Sequence, residues 1–279
     1  MFATTLRLFC LSLLLAGIAS SQDAGVYRLP LFRTPIATSA PVELPPATKL
    51  RLLADGDFAP FSFATTTNEA VGLAVDLALA SCKELKIACE VVLLPLDELL
   101  PALSERKGDA IIAGPRISEI VLESAIATRP YFRTFARFAV QSGSQVPTSG
   151  AAILTRRRIS VVKGTVHAAW LSTYYKSAEL LLFDSEREAQ EALRTGAADA
   201  LFGDGLRTIY WIKGTASRSC CKLLDGAYVD RDYFTRSLSF LFPGQRADLR
   251  AAFDASLDRL QENGTTEKIF QRYVPLSPW

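Results

Sequence analysis

Five short loops carry acidic, aromatic or arginine side chains where an apolar run stops. They are Asp55-Gly-Asp-Phe58, Leu94-Pro-Leu96, Ala113-Gly-Pro-Arg116, Lys163-Gly-Thr-Val166 and Gly203-Asp-Gly205. Their chemistry is that of holding a small polar molecule. Asp204, set between two glycines, can accept hydrogen bonds from an ammonium or a hydroxyl; it can equally cap a helix over residues 205–212. Gly164 and Thr165 stand where a strand turns into a helix, and the free N–H groups and dipole of such a turn suit a carboxylate. Thr165 would also serve as a plain N-cap. Arg116 can clamp a carboxylate through two parallel hydrogen bonds, or stand on the surface as an ordinary loop arginine. Of Asp55 and Asp57, one reaches a cleft and the other forms a turn. Phe58 and Phe61 flank Pro60, one a pocket wall and the other core.

Catalysis finds less support. His167 is the single histidine, and no nucleophile–base pair stands out around it. It has no companion at metal-ligand spacing, so neither a metal nor a cofactor is expected. With 31 basic and 29 acidic residues the net charge is +2, which gives no electrostatic case for nucleic acid or an anionic membrane.

The loops need a scaffold, and the chain alternates short apolar runs with helical patterns. Strands are expected at 49–54, 90–94 and 110–113, with helices at 73–85 and 97–104 between them. The rhythm restarts with strands at 159–162, 180–183 and 200–202 and helices at 165–174 and 186–194. Such βαβ alternation implies mostly parallel sheets covered on both faces. Lys107-Gly-Asp-Ala110 and Gly196-Ala-Ala-Asp-Ala200 lead into similar apolar strands ending at Gly114 and Gly203, a faint internal echo. Segments 132–141 and 237–242 lack helical period and read as two crossings between the halves. A long helix at 246–262 and a last one capped by Thr265 or Thr266 close the chain. The fold class is therefore α/β with two lobes and two hinge strands. Residues 49–138 plus 238–279 form lobe 1, and 139–237 form lobe 2. Open α/β sheets bind ligands beyond the carboxyl ends of their strands, which puts all five loops at one cleft.

The first 21 residues read as a secretory signal peptide. Arg7 precedes an apolar stretch from Leu8 to Ile18, and small residues follow. Residues 22–48, with five prolines, form an extended leader. Export permits disulfides. Cys82 ends a helix and Cys89 opens a strand, a corner that brings two Cα atoms within bonding reach. For adjacent Cys220 and Cys221, a vicinal disulfide, two thiols, or a bond to a partner elsewhere all stand open.

From about Lys49 to Pro275 the chain resembles the family 3 extracellular solute-binding proteins, the periplasmic receptors for polar amino acids that serve ABC importers. The resemblance is carried by Asp57-Phe-Ala-Pro-Phe-Ser62, Val75-Asp-Leu77, Gly108-Asp-Ala-Ile-Ile-Ala-Gly114, Arg129-Pro-Tyr-Phe132, Val161-Val-Lys-Gly-Thr165 and Phe202-Gly-Asp204. It implies a type II periplasmic-binding-protein fold. It implies that Asp204 holds a ligand ammonium and that Gly164 and Thr165 receive a carboxylate; Val166 beside them is counted with the ligand-binding residues. Asp55, Phe58 and Leu96 would line a side-chain pocket, and Gly114 is counted with the ligand-binding residues. It also matches a Cys82–Cys89 disulfide. Two departures stand out: the family's clamping arginine falls at Val121, and its aromatic wall at Leu96. Arg116 is the nearest replacement for the clamp. Cys220-Cys221 and Arg116-Ile-Ser118 look like a branch of binding-protein-like partners of quinoprotein dehydrogenase systems. The expectation is a periplasmic, monomeric, non-catalytic receptor for an amino-acid-like or carboxylate-bearing ligand, partnered by an ABC permease or a periplasmic dehydrogenase. The rival readings are an accessory protein of an oxidoreductase and a dehydratase on the same fold.

Overall fold

The computed structural model describes residues 44–45, 48–114, 119–146, 154–230, 232–234 and 237–274. The expected signal peptide, nearly all of the leader, and Arg116 lie outside the described residues.

Apolar residues on both faces make β1 (Lys49–Asp55) a central strand, and Leu50, Leu52, Leu53 and Ala54 are all buried. A small antiparallel sheet follows, from β2 (Asp57–Phe58), β3 (Ser62–Ala64) and β4 (Ala70–Val71). Then come α1 (Leu73–Glu84), β5 (Ala88–Leu94), a 3-10 turn at Leu96–Glu98, α2 (Leu99–Ser104), β6 (Ala110–Ala113), α3 (Glu119–Ser124) and β7 (Ala125–Ala127). The chain crosses on β8 (Phe132–Arg133) into β9 (Ala136–Gln141), then builds β10 (Arg158–Val162), α4 (Val166–Tyr174), β11 (Glu179–Phe183), α5 (Glu186–Thr195), β12 (Ala200–Asp204), α6 (Gly205–Lys213) and β13 (Cys221–Leu223). It returns on β14 (Ser237–Leu238) and β15 (Leu241–Pro243) and ends in α7 (Ala247–Glu262) and α8 (Thr265–Tyr273).

Two five-stranded sheets result, ordered β5-β1-β6-β15-β7 and β11-β10-β12-β9-β13. In each, three neighbours run parallel and the crossing segment adds an antiparallel strand. The fold is the expected two-lobed α/β architecture. The outgoing and returning crossings pair antiparallel, Phe132 with Leu238 and Arg133 with Ser237.

The first lobe's core joins Leu50, Leu52, Leu77 and Ile112 to Phe240, Phe253 and Leu257, which lie in the returning chain. Each fully buried large side chain contributes roughly 1.5–3 kcal/mol. Leu206 and Ile209 of α6 are buried in this same cluster with Phe132 and Phe135. The second lobe splits its core across its sheet. Trp170, Phe138, Phe202 and Phe234 fill one face, and Leu193, Leu201 and Trp211 the other.

Two local expectations change. The crossing read as one run breaks at Thr134-Phe135, because Phe135 turns into the first core and its carbonyl accepts a hydrogen bond from the Gly205 amide at 2.8 Å. The last helix is capped by Gly264, not by a threonine. Gly264 sits in the left-handed region at φ 77, where a β-carbon is costly, so Thr265 already lies inside the helix.

Candidate interlobe site

Lobe 1 supplies the ends of β1, β5 and β6. Asp55 closes β1, and its carboxylate accepts from the Asp57 amide at 3.0 Å, forming the turn into β2. Asp57 is exposed and lines an interlobe crevice. Gly114 follows β6 at φ 130, and a β-carbon there would come within 2.6 Å of Leu99, 3.2 Å of Asp55 and 3.3 Å of Leu96. The structure thus gathers Asp55, Leu96 and Gly114, and the bare backbone at Gly114 is what lets them meet. Leu96 is 52% exposed, an apolar side chain left open at the strand ends. Val121, where the resemblance puts a clamping arginine, is buried with Leu53, Leu99 and Ile111. Phe58 stacks on Phe61 at 5.0 Å; Phe61 is buried core, while Phe58 is half-buried.

Lobe 2 supplies the ends of β10, β11 and β12. Thr165 caps α4: its hydroxyl accepts from the Ala168 amide at 3.3 Å and donates to the Val162 carbonyl at 2.7 Å. Gly164 beside it is exposed, and Val166, the first helical residue, packs against the second core. The adjoining loops are tied by a Lys163–Asp184 ion pair. Asp204 ends β12 and caps α6, accepting from the Arg207 amide at 3.0 Å.

Two residues that the sequence reading passed over stand beside these strand ends. Arg207 pairs with Glu186 at 2.8 Å, and its guanidinium lies over the Phe58 ring at 5.3 Å. A lobe 2 cation therefore rests on a lobe 1 aromatic. A Phe63–Tyr210 ring contact at 5.8 Å adds a second bridge. Glu186 opens α5 behind a full capping box between Ser185 and Glu188. Burial pushes its carboxyl up to about 7; Arg207 pulls it down, while Asp204 and Asp57 push it further up. The Ser185-Glu-Arg-Glu188 pattern was a readable sign of that helix start. No local pattern marks Arg207, because its partners come from three separate elements. Beside these strand ends, between the lobes, lies a crevice of about 770 Å³, to which Asp57, Glu186, Arg207 and Tyr273 contribute but which Asp55, Phe58, Leu96, Gly114, Gly164, Thr165, Val166 and Asp204 do not line. His167 is not among its lining residues; it stacks on Phe234 at 5.4 Å in the second core.

Both disulfide questions find an answer. Cys82 and Cys89 are bonded with Cα atoms 6.2 Å apart, and Cys220 and Cys221 are bonded to each other. Among the described residues there is no cluster able to hold a metal, and no helix is long and apolar enough to cross a membrane.

Known proteins agree with this architecture. The chain is 27% identical over 226 residues to the L-arginine-binding protein of Pseudomonas aeruginosa, covering 80% of this chain and 87% of that one. It is 26% identical over 239 residues to the histidine-binding periplasmic protein of Salmonella typhimurium, covering 85% and 91%. Among solved structures, substrate-binding domain 2 of Lactococcus lactis GlnP in its open conformation superposes with a TM-score of 0.73 at 20% identity, covering 84% of this chain and 98% of that one. The family model for bacterial extracellular solute-binding proteins, family 3, matches residues 50–275, and with both lobes and their crossings accounted for, the chain belongs to that family.

Proposed function

We propose that this protein is a non-catalytic receptor that closes its two lobes on a small polar guest and delivers it to an ABC importer. The observation that carries the reading is the contact between lobes at the strand ends, where Arg207 of lobe 2 rests on Phe58 of lobe 1 beside Asp204. A guest seated there touches both lobes, so its differential contacts favour the closed state. Asp55, Phe58, Leu96, Gly114 and Arg116 would serve from lobe 1, and Gly164, Thr165, Val166 and Asp204 from lobe 2. We place the lobe boundaries at 49–138 with 238–279, and at 139–237. Export behind a cleaved leader fits the relatives named periplasmic.

The test is native mass spectrometry of protein purified from its own envelope, followed by thermal melts with the guest identified. A guest at about 100 times its dissociation constant should add about 2.7 kcal/mol. Protein that never carries a guest, and melts alike with every polar solute offered, would refute the reading.

Two observations favour a second role. The bonded Cys220–Cys221 pair and the valine at position 121 set this chain apart from the resemblance's usual receptor pattern. An accessory partner of a periplasmic quinoprotein dehydrogenase would instead co-purify with that enzyme and show no guest.

A further inference from the structure

The lining of the interlobe crevice has a clear sign of charge. Four cations face it, Arg187, Arg207, Lys213 and Arg272, against two acids, Asp57 and Glu186. Arg272 is paired with Asp76 at 2.5 Å. Arg187 and Lys213 are exposed and make no ion pair among the described residues. Arg207 is held from two sides: Nε faces Glu186, and the flat face lies on Phe58. No described hydrogen bond engages its two Nη groups, and the side chain keeps 28% exposure. A guanidinium fixed through its Nε and its ring face, with the Nη edge unused, is a preorganised fork for a carboxylate. The same arrangement rejects a cation. The face of Phe58 nearest the crevice already carries the chain's own guanidinium, so a second positive group beside it meets like charge.

We infer that this crevice selects an anionic guest, a small dicarboxylate or acidic amino acid, with one carboxylate on the Nη edge of Arg207 and the other near Arg187 and Lys213. The inference rests on the receptor reading above, names a substrate class, and moves the guest into this crevice, which joins the strand-end residues through Arg207, in contact with Phe58 and Asp204. It sets this chain apart from relatives whose names specify arginine or histidine. It also supplies a cation where the sequence comparison leaves only Val121, and it takes that cation from the opposite lobe.

The experiment is titration calorimetry of the intact protein, stripped of any guest by partial unfolding and refolding. L-glutamate, succinate and glutarate are compared with L-arginine, L-lysine and L-histidine in low-salt buffer. At least one acidic solute should bind, more weakly as salt rises. Arg207→Gln should weaken that binding at least tenfold. The exposed changes Arg187→Ala and Lys213→Ala should each weaken it several-fold, without altering the melt. Should Arg207→Gln fail to fold, the two exposed variants decide alone. Binding of L-arginine with silence from the acids overturns the inference and leaves the receptor reading standing. So does a neutral co-purified guest. Acid binding indifferent to all three variants also overturns the assignment of these cations. Silence from the whole panel in a protein that never carries a guest overturns both readings.

Discussion

At the scale of single residues, Asp204 has a capping task and a proposed binding task that substitution can separate. Its carboxylate accepts from the Arg207 amide as the cap of α6, and it stands at the strand end where a guest would sit. Asp204→Ala should weaken guest binding at least tenfold by calorimetry and lower stability by about 1 kcal/mol in urea melts. Asp204→Ser keeps a capping oxygen, so it should restore the stability but not the affinity. Affinity unchanged in both variants would remove Asp204 from the site. Glu186 gives a prediction in pH. Burial holds its proton, so between its ordinary value of 4.5 and about 7 the folded chain binds a proton that the unfolded chain has released. The stability from this group is complete below that window and is lost as pH rises through it. Glu186→Gln should flatten the decline in unfolding free energy from pH 4.5 to pH 7; an unaltered slope would show that the carboxyl titrates normally.

Between elements, the tightest joint is where α6 meets the crossing. A β-carbon on Gly205 would lie 2.0 Å from the Phe135 ring, so nothing larger fits unless the ring moves. Gly205→Ala should cost about 1–3 kcal/mol, read from chemical denaturation. A melt like that of the parent would mean that the ring yields freely. The strands at 110–113 and 200–202 and the helices at 73–85 and 186–194 were legible because each has a full apolar face or a capping signal of its own. Boundaries moved by a residue or two, and β12 runs on to Asp204. What stayed hidden has a nonlocal origin. The break at Thr134-Phe135 is set by the core of the other segment, and β2, β3 and β4 are too short to show a period. The strand-end positions of the candidate site were legible, since Asp55 closes β1 and Asp204 closes β12. It was not legible at Arg207, which lies inside a helix and gains its role from Phe58 and Glu186.

For the whole molecule, stability and motion divide between the lobes. The Cys82–Cys89 bond closes a short loop between α1 and β5, within lobe 1. Replacing both cysteines by alanine should cost roughly 2–3 kcal/mol, measured by denaturation of the variant against the parent, while guest affinity stays unchanged. A matching loss of affinity would tie the α1–β5 corner to the site. The placement of α6 has a mechanical consequence. Leu206 and Ile209 are rooted among lobe 1 aromatics, whereas Trp211 belongs to the far core. The helix is thus an axle fixed at one end in each body. Points near an axle sweep short arcs, so in the proposed closure Asp204 and Arg207 would hold almost still. The tips of β10 and β11 lie one and two strands further along the lever arm, so they would travel most. Recognition would start at the quiet end, and the loop at Gly164 and Thr165 would arrive last, as the latch.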